Sequence, residues 1–247
     1  MTESSRFEPY QFEPIAWIRS CYPDRFGIPR QAGLVPSAIA QIIFTNTEQN
    51  RLSLRGIEDF SHLWILFVFH RQNYKNWKPL VNPPRLGGNQ SVGVYATRSP
   101  NRSNPIGMSA VQLSHVETTA TEIQLHIQGG DFLDQTPVLD IKPYVPYADA
   151  IADATSAWAT PPNSMKAVQW SQEASEMLNI IAEQHPHFQN LVEESLLQDP
   201  RPGYERGKDG KPGAQWFMRI QDYEIVWSVI DNVIQINQLS PHKDPPN

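Results

Sequence analysis

A chain of 247 residues, 40% hydrophobic and 19% charged, has room for one large domain or two small ones and enough apolar side chain to bury a core. Its single cysteine, Cys21, excludes an internal disulfide and a thiolate-rich metal site, and no apolar stretch approaches the ~20 residues of a membrane helix, so the sequence reads as a soluble, unexported, cytoplasmic protein with no membrane partner. The net charge of −6 argues against a nucleic-acid partner only until it is divided along the chain: residues 1–112 carry 12 Lys/Arg against 7 Asp/Glu, whereas residues 113–247 carry 8 against 19. Between Phe60 and Val116 there is no acidic residue, while Arg71, Lys75, Lys78, Arg85, Arg98 and Arg102 all fall inside. Such a stretch draws an anionic partner, unless its cations are spread over a solvated surface.

The 22 prolines favour short strands and extended loops over long helices. In chain order, alternating or continuous apolar runs predict strands at residues 14–19, 39–44, 63–69, 91–97, 106–116, 122–128 and 138–141, separated by Gly, Pro and Asn clusters. The run at 63–69 is apolar throughout, which predicts a strand buried on both faces. Seven short strands suggest a barrel or a sandwich. A proline-containing, small-residue stretch at 148–162 reads as a connector. Helical spacing then predicts helices at 167–184 and 188–198, split by His185-Pro186, with strands at 215–220, 224–230 and 233–239. The expected organisation is a mainly β N-terminal domain over residues 1–155 and a small α+β domain over 156–247.

Most familiar chemical motifs are absent. No G-x-G-x-x-G lies between a strand and a helix, which leaves the usual α/β nucleotide sandwich unsupported. Residues 203–208 imitate a phosphate loop but are one residue short and followed by Asp209. The seven histidines form neither H-E-x-x-H nor a visible ligand cluster, so no metal is expected, and G-x-S-x-G is missing. Asn82-Pro83-Pro84 is similar to an element of amino-group methyltransferases, with Arg85 in place of its aromatic residue.

Eight segments in register, however, resemble the TrmO (TsaA-like, YaeB-type) methyltransferase family: Ile18-Arg19-Ser20, Pro29-Arg30-Gln31, Phe60-Ser61-His62-Leu63-Trp64-Ile65, Phe69-His70, Pro84-Arg85-Leu86-Gly87-Gly88-Asn89, Ala96-Thr97-Arg98-Ser99, Asn104-Pro105-Ile106-Gly107 and Asp140-Ile141-Lys142-Pro143-Tyr144. The likeness runs over residues 15–146, and residues 199–204 resemble an element of members with a C-terminal domain. The resemblance implies a single-sheet β-barrel that binds S-adenosyl-L-methionine, works as a homodimer, and methylates the exocyclic amine of a threonylcarbamoyl-adenosine 3′ of the anticodon in tRNA. It places cofactor contacts on Pro29, Arg30, Gln31, His70, Arg71, Arg98, Asp134, Gln135, Thr136 and Pro137. Two positions depart from the family: Arg71 stands where Gln is usual, and Gln135 where Gly is usual. Gln135 is strained if that glycine has positive φ. Ser103 likewise replaces a proline.

The chemistry asks for alignment of donor and acceptor more than for many catalytic groups. Acceptors that bond the amine hydrogens and take a proton assist a poor nucleophile, and the Asn104 side chain and the Pro105 carbonyl are the candidates; Asn-Pro equally begins turns. Arg102, Lys142 and Tyr144 are candidate RNA contacts through phosphate pairing and base stacking, and Arg201, Tyr204, Arg206, Lys208 and Lys211 are a second cationic group. Two other readings stand beside this one: a non-catalytic RNA-binding barrel that lost its cofactor through the Arg71 and Gln135 changes, and a methyltransferase acting on another nucleic acid or a small amine.

Overall fold

The computed structural model describes residues 8–72, 74–83, 86, 90–159, 165–202, 205, 209, 211 and 213–242. Six antiparallel strands close into a barrel: β1 (Ala16–Ser20), β2 (Ile39–Thr45), β3 (His62–Val68), β6 (Ile106–Thr118), β7 (Glu122–Gln128) and β8 (Thr136–Pro143). Their order around it is β1-β2-β7-β6-β3-β8. Closure comes where Ala16, Trp17 and Ile18 pair with Val138, Pro137 and Thr136. Alternate residues point inward, so Ile18, Ile42, Leu63, Ile65, Leu125, Ile127 and Val138 form one fully buried core.

That single interior corrects the expectation for residues 63–69. Leu63, Ile65 and Phe67 are buried, but Trp64, Leu66 and Val68 lie on the outer wall and are only half-covered. A second correction concerns residues 91–97, of which only Val92–Gly93 (β5) are extended, paired with Leu80–Val81 (β4). Val94–Ala96 turn instead into a 3-10 helix that Thr97 closes, donating from Oγ1 to the Val94 carbonyl at 2.8 Å. β-branched side chains at both ends made this stretch read as a strand, and the local hydrogen bond of Thr97 overrides them.

Past a short helix, α2 (Pro146–Asp149), the second unit is a mixed sheet in the order β10 (Trp216–Ile220), β11 (Tyr223–Ile230), β12 (Val233–Pro241), β9 (Ala167–Trp170), with helices α3 (Gln172–Ala182) and α4 (Phe188–Leu197). The helix expected from residue 167 starts at 172 because Ser171 caps it, accepting from the Ala174 amide at 3.1 Å. The four residues before the cap pair in parallel with β12. This second core takes Cys21, Tyr22, Val35 and Ala38 from the loop between β1 and β2. The same loop is tied down by Tyr22 Oη with Ser195 Oγ at 3.1 Å and by Ser37, whose amide and hydroxyl donate to the Glu194 carboxylate at 2.9 and 3.0 Å. A chain segment from the barrel is thereby packed into the core of the α+β unit.

Arg201 is 1% exposed. It donates to Asp199 at 2.7 Å and to Asp209, and its guanidinium lies over Trp216 at 4.8 Å and Trp227 at 5.8 Å. Arg201 therefore leaves the cationic group expected to meet RNA; Lys211 is exposed, and Tyr204, Arg206 and Lys208 lie outside the described residues, as do Pro84, Arg85 and residues 87–89. Replacing Arg201 by Ala strips both carboxylates of their cation. We expect Arg201→Ala to cost about 3 kcal/mol in urea denaturation, within the range for one-sided removal of a buried pair; a loss under about 1 kcal/mol would show the pair to be dispensable.

Candidate active site

One rim of the barrel holds a cavity of about 420 Å³. The end of β3 delivers Phe69 and His70 to it. Phe69 N donates to the Pro105 carbonyl at 2.8 Å, extending the β3–β6 ladder by one rung, and His70 N turns back to the Val68 carbonyl at 2.8 Å. β6 supplies Ile106, Gly107, Met108 and Ser109. Gly107 admits no side chain, since a Cβ there would fall 2.2 Å from Phe67 Cζ. The Phe67 ring fills that gap and stacks edge-on against Phe69 and Phe132 at 5.1 and 5.0 Å, which makes the cavity floor apolar.

Among the described residues, five arginines line this space, Arg25, Arg30, Arg71, Arg98 and Arg102, against one carboxylate, Asp131. Of the residues expected at a cofactor site, Pro29, Arg30, Gln31, His70, Arg71, Arg98 and Thr136 come together here, and Arg102 joins them. Arg98 donates from Nη1 to Gln31 Oε1. Arg30 reaches the second unit, donating to the Asp199 and Arg201 carbonyls at 3.5 Å each. Burial pushes the pKa of His70 down, the Arg71 cation adds to the effect, and the ring is thus biased to its neutral form.

Other expected residues stand outside the lining, and Arg102, which lines it, is already engaged. The Asp134 carboxylate accepts from the Ser20 amide at 2.8 Å, and Gln135 N donates to the Ile18 carbonyl at 2.8 Å, so this turn clasps the barrel seam. Gln135 has φ 61°, a left-handed conformation that costs a non-glycine residue about 1 kcal/mol. Asn104 is exposed at the foot of β6, one residue before Pro105, whose carbonyl already accepts from Phe69. Arg102 donates to the carbonyls of Ser99 at 2.8 Å and Thr97 at 2.6 Å, which commits its fork to holding the loop. Lys142 pairs with Asp140 at 2.8 Å, and the Tyr144 ring rests against Trp64 at 5.6 Å.

Sequence reasoning missed Asp131 and Ser109. Ser109 Oγ donates to Asp131 Oδ1 at 2.6 Å. A local signal existed in Gly129-Gly130-Asp131, where two glycines after a strand, the first at φ 71°, turn the next side chain inward. A second cavity, about 1040 Å³, adjoins the first and shares Arg30, Gln31, Arg98 and Pro100 with it; Asn82, Tyr95 and Trp158 stand on its other walls.

Residues 17–150 match the model of the tRNA-methyltransferase O N-terminal domain, and residues 163–242 match the TrmO C-terminal domain. The chain belongs to the TrmO family. It is 42% identical over 234 residues to the tRNA (adenine(37)-N6)-methyltransferase of Escherichia coli, covering 94% of this chain and 98% of that one. The mouse protein of the same name is 46% identical over 138 residues, 54% of this chain and 30% of its own. A crystal structure of TrmO from Pseudomonas aeruginosa superposes with a TM-score of 0.76 at 34% identity, covering 94% of this chain and 99% of that chain. The barrel expected from resemblance is thus the TrmO barrel.

The TrmO barrel of this chain also carries a cluster invisible along the sequence. A register shift in β6 after Leu113 sets His115 opposite His126 of β7, so the rings stack at 4.0 Å and His126 Nε2 lies 3.2 Å from Glu117. These three residues line neither cavity.

Burial pushes the pKa of the Asp131 carboxyl up, and the Ser109 hydroxyl, backbone donors and Arg98 only partly oppose it. A carboxyl whose pKa rises on folding contributes no penalty below the unfolded value of about 4 and costs stability once pH rises through the folded value. Asp131→Asn should therefore melt higher than the parent at neutral pH, with the gap closing below about pH 4. A pH-independent gap in thermal melting would show that the carboxylate is fully compensated.

Proposed function

We propose that this chain transfers a methyl group from S-adenosyl-L-methionine to the exocyclic amino nitrogen of a threonylcarbamoyl-adenosine 3′ of a tRNA anticodon. The observation that carries this is the pairing of two adjoining cavities across one arginine-rich wall, in a chain whose curated relatives are named tRNA (adenine(37)-N6)-methyltransferase. The smaller cavity suits the donor. Its volume lies within the ~300–1,000 Å³ usual for small-molecule sites, its floor is apolar for a purine, and it presents several guanidinium groups and one carboxylate to a zwitterionic amino-acid end. When bound, the cofactor supplies an electrophilic methyl group on a sulfonium whose loss leaves a neutral thioether.

Each residue then has a defined task. Arg98, oriented through Gln31, and Arg30, braced on the second unit, hold carboxylate. Asp131 accepts from cationic or hydroxyl donors. Neutral His70 adds no positive charge beside a sulfonium and can accept a hydrogen bond. As the amine nitrogen forms its new bond to carbon it becomes cationic, and we assign to Asn104, exposed two residues before the cavity-lining Ile106, the role of accepting its N–H through Oδ1 before the proton passes to water. The pairing of Pro105 with Phe69 makes its carbonyl the lesser acceptor.

The departures at positions 71 and 135 are accommodated. Gln135 adopts the left-handed backbone of the glycine it replaces and still closes the seam, and Arg71 lines the cavity through an exposed side chain. Neither change closes the cavity, which favours a methyltransferase over a barrel that has lost its cofactor. We further propose a cytoplasmic homodimer, for which the large exposed apolar side chains Tyr147 and Ile151 supply contact area.

The test is transfer of labelled methyl to tRNA from a strain lacking the modification. Transfer should occur at the adenosine 3′ of the anticodon, and Arg98→Ala and Asn104→Ala should each lower kcat/KM by about a hundredfold, the usual scale for losing one positioned polar group. Binding of tRNA with no transfer would establish a non-catalytic barrel, and a monomer in light scattering would remove the dimer.

A further inference from the structure

The larger cavity has a composition of its own. Among the described residues, its lining holds no Asp or Glu, two arginines shared with the smaller cavity, and two large aromatic side chains, Tyr95 and Trp158. Tyr95 is anchored through its hydroxyl to Ser103 Oγ at 2.9 Å and otherwise stands 73% exposed. Trp158 is the one partly covered residue in an exposed run from 151 to 159.

The turn that presents Trp158 is tight and strained. Ala159 N donates to the Ser156 carbonyl at 2.7 Å, Ser156 Oγ donates to the Ala159 carbonyl at 3.2 Å, and Ala157 is held at φ 43°. An alanine in the left-handed region costs about 1 kcal/mol, and such outliers cluster where a side chain is held for use. Among the described residues, neither hydrophobic core includes Trp158.

An adenine amine inside a stacked anticodon loop is out of reach of a donor held within a cavity. Enzymes that modify bases take the base out of the stack and read it against aromatic side chains. We propose that the larger cavity receives the extruded acceptor adenine and that Trp158 stacks on it, which makes Trp158 the residue that positions the nucleophile at the shared wall of Arg30, Gln31 and Arg98. The polar Asn82, on another wall of the larger cavity, then faces the carbamoyl substituent. This inference rests on the methyltransferase reading above and adds to it where the acceptor sits.

The experiment is steady-state methyl transfer to hypomodified tRNA by the full-length parent, Trp158→Ala and Trp158→Phe, with cofactor affinity measured in parallel by titration calorimetry. Stacking of one base is worth about 1–3 kcal/mol, so Trp158→Ala should lose roughly tenfold to a hundredfold in kcat/KM for tRNA. Cofactor Kd should stay within about twofold, and Trp158→Phe should recover most of the loss, as expected of a ring face and not of a lost fold. An anticodon stem-loop with 2-aminopurine at the acceptor position should be quenched by the parent and not by Trp158→Ala. Unchanged kcat/KM in Trp158→Ala beside an active parent would overturn this inference alone; a parallel loss of cofactor affinity would overturn it by placing Trp158 in the donor site. A parent that binds cofactor but transfers no methyl to tRNA would overturn both readings together.

Discussion

The pairing of β1 with β8 is the contact on which the rest of the molecule depends. It joins Ala16–Ile18 to Thr136–Val138 and turns an open sheet with two free edges into a closed barrel. At that seam Asp134 and Gln135 bond back to Ser20 and Ile18. The loop after β1 and the loop before β8 therefore meet on one rim, where β3 and β6 also open. Pro29 to Gln31, Asp131 and Thr136 reach the same cavity because the seam holds their loops together. The strain at Gln135 persists because the bonds around it exceed its cost.

Charge organises the site within that frame. An arginine-lined wall repels its own members, and two devices hold it in place. Gln31 carries Arg98, and backbone carbonyls take up the forks of Arg30 and Arg102. Asp131 supplies a compensating negative charge, and burial makes that charge costly and its interactions stronger. The result is a wall pre-set for anionic groups before any ligand arrives, which suits a reaction whose main demand is alignment.

The α+β unit is part of this arrangement. Its core contains the loop between β1 and β2, and its turn at Asp199–Arg201 receives Arg30. That turn is itself fixed by Arg201 between two carboxylates and two tryptophans. The carbonyls that receive Arg30 thus belong to a turn whose buried cation is enclosed on all of these sides.

Much was legible in the residues alone. The alternation of apolar side chains located β1, β2, β6, β7 and β8, because inward and outward positions alternate by the covalent geometry of a strand. The eight family segments carried the barrel and its donor, and the charge division along the chain pointed to an anionic partner. The family resemblance also flagged Gln135 as strained if the glycine usual there has positive φ, and the structure supplies that φ. What the sequence could not decide was whatever depends on pairs distant along the chain. Ser109 and Asp131, His115 and His126, Arg30 and the Asp199 carbonyl meet only through register and packing. The fate of a charge is likewise a tertiary matter: Arg201 read as a free cation, and although Asp199 is only two residues away, Asp209, Trp216 and Trp227 enclose it through the fold, because packing and not local pattern removes water from a side chain.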